Sequence, residues 1–435
     1  MKRYYLFLFA ALGTLVLACG SGSEPEIEPG NGTGNGSGGG SVAPDKPKVG
    51  QTLPDWSEGY LDIHAVNTGR GECSLLILPD GTTMLVDTGC SSIADDDQIP
   101  PPPMKPNASS EPAQTVINYL SHFVKAASGK LDYLLISHWH ADHMGGAPTD
   151  ATPMHPQGQF RLCGVAKIAS AFGVGKAVDR GFTFPCDNAA ASATVANYKK
   201  FVEWSRSAHA TQHEEFRVGA ADQFVLCHDA AKYANFAVRN LACNGVVWTG
   251  AGTQTKNTFP PASEVAAVGG YENICSNAFH LKYGGFDYFS GGDLSYSGRS
   301  THSWFDIEAP VAAVVPQVEV MKAHHHGTSN CNSSEMLKKL KPQTILVHVW
   351  RDVQPNPATI ARMFSANAGC NIFTTNLTEN NKGVLGSSVV SKFKSTGGHI
   401  VVRVSPGGQR YYVYVLDDTN ENYKVKQIHG PYTCN

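Results

Sequence analysis

The segment Ser137-His138-Trp139-His140-Ala141-Asp142-His143-Met144-Gly145-Gly146 sets three imidazoles and one carboxylate within six residues. Imidazole and carboxylate are good ligands for zinc-like ions, and alternate spacing lets neighbours face two different ions. A solitary histidine is more often structural. Four such groups packed together are costly to bury unpaired, so the spacing points to a metal centre. Other polar groups follow apolar runs elsewhere: Asp87, Asp293, and the run His324-His325-His326-Gly327.

Strands have to deliver these positions. Leu61, Ile63 and Ala65 alternate with other residues, as in a strand. Residues 74–78 read as a second strand, Pro79-Asp80-Gly81 as a turn, and residues 83–86 as the returning strand before Asp87. Val116, Ile117, Leu120, Phe123 and Val124 share one helix face. Pro112 suits the first turn of that helix and Gly129 its end. Residues 131–137 form a continuous apolar strand, expected to lie in a sheet covered on both faces, and it delivers His138. From 147 to 272 the pattern weakens. A helix is predicted at 197–204 and strands at 236–241 and 245–249. No composition break separates this stretch, which reads as a long insertion shaping a substrate cleft. The second half is regular again. A hairpin at 278–283 and 286–290 ends at Gly291-Gly292-Asp293, and a short strand at 318–321 leads to the histidine run. Ser333 caps a helix carrying Met336, Leu337 and Leu340. Strands follow at 344–349, 399–404 and 411–416. The two halves are alike in kind.

The chain has 435 residues, 42% of them hydrophobic, enough for a sizeable core. Its formal net charge of -3 provides no global attraction for nucleic acid, which stays possible only as a substrate. Lys2 and Arg3 precede an apolar run at 4–18, the shape of a secretory signal. That run falls short of the roughly 20 residues a membrane span needs. Val16-Leu17-Ala18-Cys19 resembles a bacterial lipoprotein cleavage box. The resemblance implies export, lipidation of Cys19 and anchorage to a bacterial membrane, periplasmic or at the cell surface. Residues 20–50, rich in Gly, Ser, Pro and Asn, read as a flexible linker. The expected organisation is a signal at 1–18, a lipidated cysteine and linker at 19–50, and a catalytic domain at 51–435. Asp95 to Asp97 and Pro100 to Pro103 mark a loop. No CxxC spacing occurs among the eleven cysteines, which argues against a zinc ribbon. An exported chain meets oxidising surroundings, where some cysteines pair. Cys90 and Cys275 read as small buried residues.

HxHxDH followed by Gly-Gly resembles the signature of the metallo-β-lactamase superfamily. Leu85-Val86-Asp87-Thr88-Gly89, Gly292-Asp293 and His325-His326-Gly327 resemble further motifs of that superfamily, in the same order. The resemblance implies an α/β fold, the metallo-β-lactamase αββα sandwich, with a long insertion after HxHxDH. It also implies two divalent ions, zinc by default. His138 and His140 would hold one. Asp142, His143 and His325 would hold the other, Asp293 would bridge them, and Asp87 would support the site from behind. His326 is then kept for substrate, and His324 is a neighbour only.

One motif departs. Where many members carry a further histidine, this chain reads Glu272-Asn273-Ile274-Cys275-Ser276. The Asn-x-x-Ser pattern resembles a subgroup that includes the hydrolase part of ComEC-type DNA-uptake proteins and bacterial choline-phosphate esterases. It gives Asn273 a supporting role and leaves the first ion with fewer protein ligands. The implied activity is a phosphodiesterase acting through hydroxide held by the ions on a small or polymeric phosphoester, with Asp142 or Asp293 taking up the proton. His326 or His399 is expected to touch a phosphate oxygen. Two other readings are a lactone, thioester or β-lactam hydrolase, and a non-catalytic surface lipoprotein. The intact HxHxDH and Asp293 oppose the last. His155, His209, His213, His228 and His280 read as structural or exposed.

Overall fold

A computed structural model describes residues 47–91, 102–184, 192–268, 272–296 and 302–435. The chain divides into residues 1–43 and 44–435, and every described residue belongs to the second unit. The expected signal at 1–18, Cys19, most of the 20–50 linker, Asp95 to Asp97, Pro100 and Pro101 lie outside the described residues.

The chain opens with a meander, β1 (Leu61–Ala65), β2 (Ser74–Ile77) and β3 (Thr83–Val86), and every side chain in these strands is buried. Helix α1 (Pro112–Phe123) buries Val116, Tyr119, Leu120 and Phe123 along one stripe, with Pro112 in its first turn. β4 (Leu131–Leu135) is buried at all five positions, as a strand covered on both faces must be. It feeds α2 (Ala141–Met144).

The stretch after the His motif extends both sheets. It supplies α3 (Gly164–Phe172), β5 (Val174–Asp179), α4 (Ala193–Ala208) and β6 (Gln212–Glu215), then β7 (Phe236–Cys243), β8 (Val246–Trp248), β9 (Thr255–Asn257) and α5 (Ala262–Val268). Ser192 caps α4, its side chain accepting from Val195 N. The second half continues with the hairpin β10 (Ala278–Tyr283) and β11 (Phe286–Ser290), α6 (Glu308–Ala312), β12 (Val320–Lys322) and α7 (Ser334–Leu340), capped by Ser333. Next come β13 (Thr344–Val347), α8 (Pro357–Ala366), β14 (Asn371–Thr374), α9 (Glu379–Leu385) and α10 (Ser387–Val390). β15 (His399–Val404), β16 (Arg410–Leu416) and β17 (Val425–Thr433) close the chain.

The strands form two mixed sheets. One runs β17-β16-β15-β1-β2-β3-β4-β5-β6, the other β14-β13-β12-β11-β10-β7-β8-β9. Each sheet is antiparallel in one part and parallel in the other: β3 to β6 pair in parallel, and so do β11 to β14. One apolar cluster lies between the sheets, joining Ile63, Met84 and Leu135 to Leu281, Val320 and Leu346. A second packs α1, α3 and α4 on the outer face of the first sheet, and a third packs α6, α7 and α8 on the outer face of the other. The layers are therefore helix, sheet, sheet, helix. No described helix is long and apolar enough to cross a membrane. The nine described cysteines are all free thiols, with Cys90 and Cys275 both buried.

The register of the first sheet sets Asp62 opposite Arg403 across β1 and β15. The guanidinium binds the carboxylate through two hydrogen bonds, 2.9 and 2.6 Å, and both residues are buried. Burial pushes the Asp62 carboxyl up, but Arg403 outweighs it, and His64 adds to the pull, so the value falls to about 2. A depressed carboxyl contributes stability above its unfolded value and loses it as the acid side is approached. The pH-dependent part is on the order of 2 kcal/mol. Melting the wild type beside Asp62→Asn between pH 2 and 7 should give a difference that is constant above pH ~5 and shrinks between pH ~4 and ~2. A difference that stays flat down to pH ~2 would remove the ion pair from the account of acid stability.

Candidate metal centre

The parallel strands of both sheets end at one place. Beyond β3 stands Asp87, beyond β4 the segment His138 to His143, beyond β11 Asp293, and beyond β12 the run His324 to His326. Carboxyl ends of parallel strands are where open α/β sheets place their ligands. The order reflects local chemistry. Each apolar strand must stop where its backbone leaves the ladder, and the polar side chains collect there.

Asp87 organises the His motif. It sits at φ +56°, the left-handed region, where a residue other than glycine is strained. The bend turns its carboxylate inward, where Oδ1 accepts from Ser137 N (2.7 Å) and Oδ2 accepts from Ser137 Oγ (2.6 Å) and His143 Nδ1 (2.8 Å). Ser137 Oγ, its proton given to Asp87, accepts in turn from His138 Nδ1 at 3.1 Å. On the other side, His326 Nδ1 donates to the carbonyl of His348 at 2.9 Å. In all three imidazoles Nδ1 is tied back and Nε2 faces inward, as in the carboxylate–histidine supports of metal sites.

These nitrogens meet carboxylate oxygens. His143 Nε2 is 3.2 Å from Asp293 Oδ2, and His326 Nε2 is 2.9 Å from Asp142 Oδ2. Asp293 Oδ2 also lies 3.8 Å from His138 Nε2, 3.8 Å from His325 Nε2 and 3.7 Å from His326 Nε2. Both carboxylate oxygens of Asp293, and Nε2 of His143, are buried without a hydrogen-bond partner. Imidazole nitrogens and carboxylate oxygens packed this closely need a proton or a metal cation between them. Burial lowers the pKa of His143, but Asp293, Asp87 and Asp142 outweigh it and hold the ring well above its usual range. Burial works in the opposite sense on Asp293, and His143, His326 and His325 hold it well below the usual carboxylate range. Burial also drives His138 well below its usual value, and His143 adds to that effect. The donor set thus fits a divalent ion. Glu72, His143, Asp293 and His326 offer ligand atoms all within 4.8 Å of one another. A second pair of donors stands beside them, His138 Nε2 and His140 Nδ1, 3.1 Å apart.

The structure brings His138, His140, Asp142, His143 and Asp293 together around one point, with Asp87 behind His143. The histidine run falls one residue out of the expected register. His325 and His326 both adopt left-handed backbone, φ +46° and +56°. This turn swings His326 inward to Asp142 and Asp293. His325 instead lines the cavity above, where its Nδ1 is 2.8 Å from Thr328 Oγ1 and its ring lies against Asn273 Nδ2 at 3.2 Å. The place expected for His325 is taken by His326, and the substrate-facing place expected for His326 is taken by His325. His324 is a buried neighbour bonded to Glu308 at 2.8 Å. His399 is not at the cavity at all. It is buried against Tyr119, and its Nδ1 accepts from Asn67 N. His213 and His280 are paired with Asp179 and Asp287, in keeping with structural roles.

Four contributors escaped the sequence reading. Glu72 lies beside the donors. Lys322, the last residue of β12, is 1% exposed. Arg180 and Glu272 form a buried bidentate pair, 2.6 and 2.7 Å, and Glu272 Oε1 also accepts from Trp139 N at 2.9 Å. That bond braces the backbone between His138 and His140. Only Lys322 carried a signal, being a charge at the end of an otherwise apolar strand. Glycine is required at 71, where a Cβ would sit 2.1 Å from the carbonyl of Asp142. Here the chain passes over the His motif, and Glu72 N donates to that carbonyl at 2.8 Å.

The centre opens to a cavity of about 420 Å³ lined by His140, Asp142, Asn273, Asp293, His325, Trp350 and Arg351, among others. The register predicts unequal effects on ion binding. His326→Ala should weaken zinc binding on the order of 100-fold or more, and Asp87→Ala by about 10- to 100-fold. His325→Ala should change it less than about tenfold. Competition with a chromophoric chelator measures all three, and equal losses at 325 and 326 would undo the assignment.

No curated protein matches the chain. Residues 67–149, from the loop after β1 through the His motif, match the family model described as the metallo-beta-lactamase superfamily, so the segment that supplies Asp87 and His138 to His143 carries the mark of that domain.

Proposed function

We propose that the chain is a metal-dependent hydrolase, and that its substrate is a phosphoric diester. The observation that carries the first part is the set of buried imidazoles and carboxylates gathered around Asp293 at the floor of an open cavity. A purely structural site has no need of a cavity, whereas a catalytic one must admit substrate. When bound, divalent ions lower the pKa of a water and polarise the ester oxygen. The chain's own residues do the rest. Asp142 is half-buried on the cavity side, with Oδ2 2.9 Å from His326 Nε2. Burial raises its pKa, but His143 and His326 outweigh that effect, so it faces the cavity as a carboxylate. His140 and His325 stand where a substrate oxygen would lie.

Support for an anionic substrate comes from the cavity wall. Arg351 is the only arginine or lysine among the described residues lining it. Its guanidinium rests 4.2 Å over the ring of Trp350, and Gln354 Oε1 accepts from the backbone N–H of both residues. A fixed guanidinium favours a diester monoanion and offers a neutral lactone little. The resemblance of Asn273 and Ser276 to the ComEC-type and choline-phosphate-esterase subgroup points the same way. Export and lipid anchorage through Cys19 form part of this proposal, and would set the enzyme against phosphoesters outside the cytoplasm.

The test is turnover of bis-p-nitrophenyl phosphate beside a lactone and nitrocefin. Diester turnover should vanish with chelator and fall by about 10²-fold or more in His140→Ala, the range for losing an interaction the transition state depends on. Turnover of lactone or nitrocefin with an inert diester would replace the diester reading. Arg351→Gln should raise KM for the diester by about tenfold while leaving any neutral ester unchanged.

A further inference from the structure

We propose that Lys322 keeps the metal centre open by engaging Glu72, the carboxylate that would otherwise add a protein ligand to it. The inference rests on the reading of the site as a metal centre, and concerns which carboxylates are free to serve it.

Lys322 is 1% exposed, as deep as the donors themselves. A buried ammonium persists only when its protons find partners. Here it donates to one carbonyl and faces two carboxylates, drawn from two segments. Glu72 Oε2 is 2.5 Å away, the carbonyl of Gly292 2.6 Å, and Asp293 Oδ1 3.6 Å. The ammonium thereby joins the loop before β2, in the first sheet, to the loop after β11, in the second. It also gives the two oxygens of Asp293 different work. Oδ1 faces Lys322, while Oδ2 faces the imidazoles of His138, His143, His325 and His326.

Glu72 by position is a candidate ligand, since its oxygen falls within 4.8 Å of the ligand atoms of His143, Asp293 and His326. Its carboxylate, however, is in contact with a buried cation. An ion drawing on the same oxygens would stand close to the ammonium with little water to screen the repulsion. The pairing therefore withdraws Glu72 from the ion. The consequence is chemical. Catalytic zinc sites keep a coordination position for water or substrate, while structural sites fill every position with protein. Glu72 approaches from the buried side. Asp142 and His325 line the cavity side, where the vacated position is useful. Lys322 is on this account a positioning residue. It touches no substrate and acts through Glu72 and Asp293.

The experiment is a zinc titration of the full chain, stripped with chelator, as wild type, Glu72→Gln, Lys322→Met and the double variant. Glutamine keeps a hydrogen-bond acceptor for Lys322, so Glu72→Gln should hold zinc within tenfold of wild type. Lys322→Met releases Glu72 and removes the repulsion, so zinc should bind at least tenfold tighter. In the double variant that gain should disappear, which is the coupling a double-mutant cycle reads. Cobalt-loaded protein supplies a second readout. Inorganic phosphate should change the absorption of wild type and leave that of Lys322→Met unchanged. A loss above tenfold in Glu72→Gln makes Glu72 a ligand and overturns the proposal. So does a Lys322→Met protein that folds and binds zinc no tighter than wild type. If Lys322→Met does not fold, Glu72→Gln decides alone. A wild type that binds no zinc overturns the metal reading and this proposal together, an outcome distinct from a wild type that binds zinc and a Glu72→Gln that does not.

Discussion

The carboxylate of Asp293 lies at 1% exposure with no hydrogen-bond donor on either oxygen. An ion so deep loses several kcal/mol of hydration, and only paired charge restores it. Much of the surrounding architecture supplies that charge. The imidazoles face Oδ2 and Lys322 faces Oδ1. Ser276 Oγ accepts from the backbone N–H of Asp293 at 3.1 Å and fixes where the carboxylate starts. Asp293, Asp87 and Asp142 also raise the pKa of His143 against the pull of burial. An ion bound there would compete with a proton for the same nitrogen. The same carboxylates that make the centre attractive to a metal make it attractive to protons.

Two sheets are needed to hold this arrangement. Asp87 and the His motif come from the parallel part of the first sheet, while Asp293 and His326 come from that of the second. Neither sheet has a complete donor set. The apolar layer between them fixes their separation, and a close-packed interior does not yield by an ångström without cost. Lys322, bonded to Glu72 on one side and Gly292 on the other, is a polar tie at the same junction. The candidate ligands are thus positioned by the core of the whole sandwich and not by one loop.

How much of this the sequence disclosed depended on distance along the chain. HxHxDH was legible because its donors are adjacent and follow an apolar run. Asp87 and Asp293 were legible for the same reason, with the resemblance to guide their roles. The register at 324–326 was not. Two consecutive residues in left-handed backbone leave no mark in composition, and no glycine stands at 325 or 326 to announce them. His399 was expected, with His326, as a contact to a phosphate oxygen. In the fold its strand lies beside β1, and the ring is taken into the core by Asn67 and Tyr119. Glu72 with Lys322, and Arg180 with Glu272, stay silent in sequence because the partners are far apart and each charge alone looks solvated. The weak pattern after the His motif has a physical cause too. β6 (Gln212–Glu215) is an edge strand of polar residues, and the two-residue period has no apolar face to display there.

The Glu272 brace bears on the one motif that departs from the resemblance. Where that resemblance implies a further histidine, Asn273 lies against the ring of His325, and Glu272 turns away to bind Arg180 and the N–H of Trp139. That segment supports the His loop instead of adding a donor to it. The two halves of the centre become unequal. Around His143 and His326 stand Asp142 and Asp293, two carboxylates with depressed pKa values. On the other side His138 Nε2 lies 3.8 Å from Asp293 Oδ2. Charge favours the first half, so an ion there would be held more tightly than one beside His140. Both halves border the cavity, the first through Asp142 and the second through His140.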